Sequence, residues 1–308
     1  MTASKVSVMP HVLLTSEMLV SSTVPEDDYA VYDSGATYAL GGRCISTVTH
    51  LIYESGVAGN IGNDPTDINN QLGVTPKWKV VSPTNRWKMF DDSSSSQTVH
   101  ASPLTVVLKP GFFNALYLDN LDAEYIEVTQ KDATGGNVIF HYSGALENSA
   151  PADWYEHFFA PFRPQRDYIV SGLDPYYNAE VTVTLTSPGD TVKCGIFAVG
   201  DLQPLGSTLR GIKVDPKSFS YIKQDEFGDN TIVRRKKAKD MVVSAVLDLT
   251  EADYVMDLLT ELQDVPTLVV ASESNNHRSA RGFGLVKPSM VYDQVNTCTL
   301  NVNVNGMT

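Results

Sequence analysis

Apolar and polar residues alternate in short runs through most of this 308-residue chain, and a period of two predicts strands rather than helices. The densest series covers residues 104–108, 115–118, 125–129, 138–142, 168–170, 181–186 and 192–199. In 181–186, Val181, Val183 and Leu185 alternate with Thr182, Thr184 and Thr186, which buries one face of the strand. Pro-Gly, Thr-Gly-Gly, Leu-Asp-Pro and Ser-Pro-Gly-Asp turns separate the runs. Residues 91–203 are therefore expected to form a β-sandwich of jelly-roll type.

The flanks have a different texture. Residues 1–25 hold brief apolar patches, Val12-Leu13-Leu14 and Met18-Leu19-Val20, and read as an N-terminal arm or short strand with a role in attachment. Residues 26–90 show strand-like runs at 38–46 and 48–54, punctuated by Gly41-Gly42, Gly56 and Gly59 and followed by a polar loop. That is the pattern of a small all-β unit. Four successive serines within 91–97 mark a linker and a boundary. Residues 204–308 combine strands with one amphipathic helix, in which Val255, Leu258, Leu259 and Leu262 share a face. Thr250 is the expected cap, Glu251 and Asp253 occupy the first turn, and Pro266 marks the end. The third unit is expected to be α+β, a sheet with a helix across one face, in a mainly β, multidomain chain.

Composition narrows the function classes. The 36 Asp+Glu outnumber the 23 Lys+Arg, and a net charge of −13 repels phosphate backbones, so nucleic acid is not an expected partner. Cys44, Cys194 and Cys298 are odd in number and widely spaced, which supports neither a disulfide framework nor a zinc ribbon and fits synthesis in a reducing compartment. No secretion signal and no run of about 18 apolar residues is visible, so no transmembrane segment is expected.

The residues with chemical potential mostly admit a structural reading. The chain lacks HExxH, GxSxG, a Walker loop and GxGxxG, and His11, His50, His100, His141, His157 and His277 share no ligand spacing, most of them reading as strand or loop surface residues. Asp119, Asp122, Glu124 and Glu127 contain enough carboxylates for glycosidic cleavage, but they read as exposed acids along strands and turns. The oxygen-rich loop of Asp64, Asp67, Asn69 and Asn70 reads as a polar turn, because the calcium-loop pattern is missing. Tyr32, Tyr38, Tyr53, Trp78 and Trp87 cluster in the small unit. Beside Asn63 and Asp64 such rings can stack on sugars, although a module of this size needs large aromatics for its own core. Arg234-Arg235-Lys236-Lys237, followed by Lys239, is the one dense positive tract. It reads either as a solvated strand edge or as a docking stripe for an acidic neighbour.

Two resemblances attach to these residues. Tyr32-Asp33, Tyr38, Gly41, Cys44, Ile52-Tyr53-Glu54, Asn63-x-Pro65 and Trp78 together resemble small carbohydrate-binding modules of the chitin-binding type, which usually begin with Trp where Tyr32 stands. Val80-Val81-Ser82-Pro83-Thr84-Asn85-Arg86-Trp87-Lys88-Met89-Phe90-Asp91 is similar to a segment of tailed-bacteriophage tail and baseplate structural proteins. The C-terminal unit, with Phe227-Gly228-Asp229 and Arg234-Arg235, resembles a phage tail assembly domain. The resemblance implies a non-enzymatic virion component, assembled in the host cytoplasm, that needs no cofactor. It would link the tail to fibres or host-contacting proteins, with other tail proteins, copies of itself and a host-surface glycan as expected partners. Under it, Tyr32, Tyr38, Tyr53, Asn63, Asp64 and Trp78 are the candidate glycan face. Arg234, Arg235, Lys236 and Lys237 are the candidate assembly interface. A receptor-binding adhesin is the alternative, and a tail-associated glycan hydrolase a more distant one.

Overall fold

The computed structural model describes residues 5–147, 154–159, 164–224, 227–272, 275–292 and 295–307. The chain is mainly β and builds several sheets around separate cores, as the alternation requires. The central unit sets a five-stranded antiparallel sheet, in the order Val138–Ala145, Tyr125–Lys131, Glu180–Thr186, Leu104–Leu108 and Leu19–Ser22, against a three-stranded one of Asp167–Ser171, Ala115–Asp119 and Ile196–Gly200. Val106, Val128 and Val183 from the first sheet share one core with Leu116, Leu118, Phe197 and Val199 from the second. Trp87, Met89 and Phe90 also pack there, so the end of the 26–90 stretch belongs to this core.

The C-terminal unit is more closed than the expected sheet. Gln203–Thr208, Lys5–Pro10, Thr267–Val270, Arg281–Val291, Thr297–Gly306 and Lys237–Asp248 follow one another, and Lys237–Asp248 pairs back onto Gln203–Thr208. The result is a six-stranded antiparallel ring closed at a short seam, Ser207–Thr208 against Ala245–Val246, with Lys213–Ser218 left as an edge strand on Lys237–Asp248. At the seam, Gly206 passes so near the Val246 carbonyl that a Cβ would sit 2.6 Å from its oxygen, which requires glycine. Of the arm and the short strand expected at the N-terminus, the strand is what forms. Lys5–Pro10 is an interior strand, with Val6 and Val8 fully buried, and Leu19–Ser22 is an edge strand of the other unit.

The helix runs Ala252–Glu261 and buries Val255 and Leu259 in the ring's core, with Leu258 and Leu262 beside them. Thr250 does not cap it. Its own N–H and hydroxyl donate to the Asp248 carboxylate, and Glu251 occupies the cap position. No helix among the described residues is long and apolar enough to cross a membrane.

Ring and central unit meet across an apolar layer. Met9, Leu268, Val270 and Phe283 on the ring pack against Ala115, Tyr117, Ile196 and Ala198 on the three-stranded sheet. The strands involved are buried on both faces, which is why Ala115-Leu116-Tyr117-Leu118 and Ile196-Phe197-Ala198-Val199 show no alternation. The serines expected to form a linker instead sit at this junction. Asp91 accepts hydrogen bonds from the Ser93 N–H and the Ser96 hydroxyl, and Ser94 donates to the Met307 carbonyl.

The small unit is a three-stranded sheet of Arg43–Ser46, Leu51–Ser55 and Trp78–Pro83 over a core of Cys44, Tyr53 and Trp78. Glu26 fastens it to the segment that leads into the central core. Its carboxylate meets the His50 ring at 2.9 Å and the Thr84 hydroxyl at 2.9 Å, while His50 stacks on Trp87 at 4.1 Å.

Candidate functional site

The candidate glycan residues come together, but as a core more than as a face. Trp78 and Tyr53 are 0% and 1% exposed, so neither offers a ring to a sugar. Tyr38 packs edge-on against Trp78 at 5.0 Å, and Tyr32 stacks on Tyr38 at 5.9 Å; both are half-buried. Asn63 is committed internally. Its carbonyl accepts from the Trp78 indole N–H at 2.8 Å, and its side chain bonds Asn60 and Lys77. Asp64 is exposed, but one of its carboxylate oxygens accepts from the Thr66 N–H and hydroxyl. Asp67 caps Asn69 in the same way, so this loop's oxygens serve the turn. Burial forces the aromatics inward, since sixty residues supply few other large apolar groups. What remains at the surface is Tyr32 and Tyr38 with Asp64 nearby; burial and that carboxylate both raise the Tyr32 pKa.

The basic tract lies at the root of a two-stranded arm. Lys213–Ser218 pairs with Lys237–Asp248, and beyond it Tyr221–Gln224 pairs with Asn230–Val233. Both faces of the outer hairpin are open to solvent, so it stands away from the body. It exposes Phe219, Tyr221, Ile222, Phe227 and Ile232. The Arg235 guanidinium lies over the Tyr221 ring at 5.9 Å, and Lys217 over Phe219 at 5.3 Å. Residues 213–242 carry eight Lys+Arg against five Asp+Glu, a positive arm on an acidic protein.

The tract divides between cleft and solvent. Arg235 and Lys237, continued by Lys239, line a cleft of about 490 Å3 between the ring and the central unit. Arg234 and Lys236 are exposed and do not line it. The far wall holds Ser94, Ser95, Asp119, Asn120 and Arg166. Asn120 has a left-handed φ of 51°, unusual for a residue other than glycine, and three bonds hold it there. Its N–H donates to Asp119 at 2.8 Å, its side chain to the Ser94 carbonyl at 2.7 Å, and its carbonyl accepts from Gln97 at 2.8 Å. Gly195 backs this wall, where a Cβ would lie 2.7 Å from both Asn120 and the Ser94 carbonyl.

Asp119 departs from the exposed acid expected of it. Burial pushes its carboxyl up to about 6; the Asn120 N–H, Lys239 and the Tyr117 hydroxyl pull it down, while Asp167 pushes it further up. A carboxyl with a folded pKa above its unfolded value of 3.8 holds its proton more tightly when folded, so stability falls as pH rises from about 4 to about 6. Asp119→Asn removes that penalty. Chemical denaturation is expected to show a gain of about 2 kcal/mol above pH 7 that shrinks towards pH 4. A loss at neutral pH would contradict the assignment.

The other acids of this stretch do not converge with it. Asp122 pairs with Lys193 at 2.9 Å, and Glu127 is exposed beside His141. His11 is buried against Phe283 rather than on the surface, and burial lowers its pKa. His157 falls in the helix Trp154–Phe159, and its side chain lies outside the described residues. Among the described residues no group of three or more His, Cys, Asp or Glu is placed to hold a metal ion. Arg166 carries no signal in the sequence, whereas Lys239 follows the basic tract, and the Arg235-x-Lys237-x-Lys239 spacing, read as a strand, places three cations on one face. No protein-family model matches the chain, and no curated protein matches it.

Proposed function

We propose that the chain is a non-enzymatic structural component of a bacteriophage tail tip or baseplate, joining the tail to fibres or host-contacting proteins through repeated contacts with its neighbours. The observation that carries this reading is the arm. A two-stranded hairpin is marginal alone in water, and one with five large apolar side chains exposed is stabilised when another surface covers it. Its charge favours an acidic partner, and a second copy qualifies, because the chain outside residues 213–242 carries a net −16. An arm on one copy meeting a different surface on the next is a heterologous contact, which repeats into a ring or stack. In this reading the central unit is a jelly-roll-like sandwich, and the C-terminal ring with its arm is the assembly unit.

Reversing Arg234 and Lys236 to Glu together with Ile222→Glu is expected to leave the folded monomer intact and to abolish incorporation into phage particles, read by immunoblotting purified particles. Incorporation at the wild-type level rejects the docking role. A second reading, a host-glycan adhesin, rests on the stacked Tyr32–Tyr38 pair beside Asp64. A glycan array probed with the full chain decides it: signal lost in Tyr32→Ala supports the adhesin, and no signal above background removes it.

A further inference from the structure

We infer that the cleft between the central unit and the ring is a binding site for a small, multiply charged oxyanion of the phosphate or sulfate type. Four cations converge on it from two units: Arg166 from the central unit, and Arg235, Lys237 and Lys239 from the root of the arm. None of the four makes a salt bridge among the described residues, whereas Lys213, Lys217, Lys193, Arg43, Arg86 and Arg281 all do. Gathering four like charges around one cleft costs energy unless something of opposite sign joins them. Here Asp119 is the one carboxylate in the lining. One carboxylate facing four cations neutralises the cluster only in part.

The cleft's shape and polarity suit an anion of limited size. About 490 Å3 accommodates a phosphate or sulfate together with a small organic group, not a polymer segment. Arginine offers a planar fork to two oxygens of such an anion, and the lysines add point charges. The opposing wall is preorganised, since Asn120 is pinned by three hydrogen bonds and Ser94 by its bond to the Met307 carbonyl. The overall charge of −13 does not forbid the site, because charges more than about 8 Å away are largely screened at physiological salt. It does imply weakening by added salt, as for any site built on unpaired surface cations.

The test is isothermal titration calorimetry on the full chain at low ionic strength, with pyrophosphate, inorganic sulfate and glycerol 3-phosphate as separate probes and chloride at matched ionic strength as the blank. One-to-one saturable binding is expected for at least one dianionic probe, weakened about tenfold or more by Lys239→Gln or Arg166→Gln. Lys223→Gln, on the outer arm, should leave it within about twofold. Glycerol 3-phosphate binding as well as the inorganic ions identifies a site open to phosphate esters; binding of the inorganic ions alone identifies a free-ion site. Sulfate keeps its charge through the range in which Asp119 titrates, so sulfate should bind more tightly at pH 5.5 than at pH 7.5 (about two units apart), with the difference removed in Asp119→Asn. Heat indistinguishable from the chloride blank for all three probes, or equal affinity in wild type and both cleft variants, overturns the assignment. Thermal melts of each variant confirm that lost binding is not lost folding.

Discussion

Val8→Asp is expected to destabilise the protein by about 4 kcal/mol, a large part of the roughly 5–15 kcal/mol that holds a typical fold. Val8 has no exposed surface and sits in the middle of Lys5–Pro10, where it opposes Gln203 on one side and Val269 on the other. A carboxylate there faces Val6, Leu205 and Val243 in the ring's core with no cation to pair with. Guanidinium unfolding followed by circular dichroism gives the value directly. The experiment also separates two pictures of the N-terminus. A dangling arm would tolerate the change within about half a kcal/mol, as exposed positions do. A tolerant Val8→Asp would therefore remove the first strand from the ring.

Trp78→Ala is expected to cost the small unit about 3 to 5 kcal/mol, the range for removing a buried indole. Trp78 is the largest side chain of a core that otherwise holds Cys44 and Tyr53, and Tyr32, Tyr38 and Leu51 lean on it. The truncation also strips the Asn63 carbonyl of its 2.8 Å donor. Because this cluster is separate from the other cores, the loss should stay local. Hydrogen exchange read by mass spectrometry should show protection lost across residues 43–55 and kept across 181–186. Equal loss in both would mean that the three-stranded sheet and the central core unfold as one. Protection retained in 43–55 would mean that the indole is not the keystone of its core, and its availability to a ligand would have to be reconsidered.

The regularity of the central strands explains how much of the fold was legible. Leu104–Leu108 and Glu180–Thr186 fall where alternation puts them, since the face a strand buries is written in its own residues. The helix face was legible for the same reason, with Val255 and Leu259 at a spacing of four. Its cap was not, because Asp248 competes for the Thr250 N–H and hydroxyl at the strand's end, and a residue's local preference cannot report that competitor. The serine run misled because composition alone equates small polar residues with linkers. Here Asp91 and Asn120 organise those serines into the wall of a cleft. Among the candidate site residues, the basic tract was visible as charge density, but its division between cleft and solvent depends on where the wall of Ser94, Asp119, Asn120 and Arg166 lies against it.

The amino-acid sequence by itself determined the β character of this protein, the positions of most strands, the amphipathic helix and the location of its unusual positive charge. Each depends on neighbours within a few residues, which hydrophobic period and composition record. Only the tertiary structure decided that the first strand closes a ring against segments some two hundred residues away, that Trp78 and Tyr53 face inward, and that Arg166 and Asp119 meet the arm's cations in one cleft. Those outcomes depend on which apolar faces find each other across the chain, and the energy that selects them belongs to pairs of distant segments rather than to either segment alone.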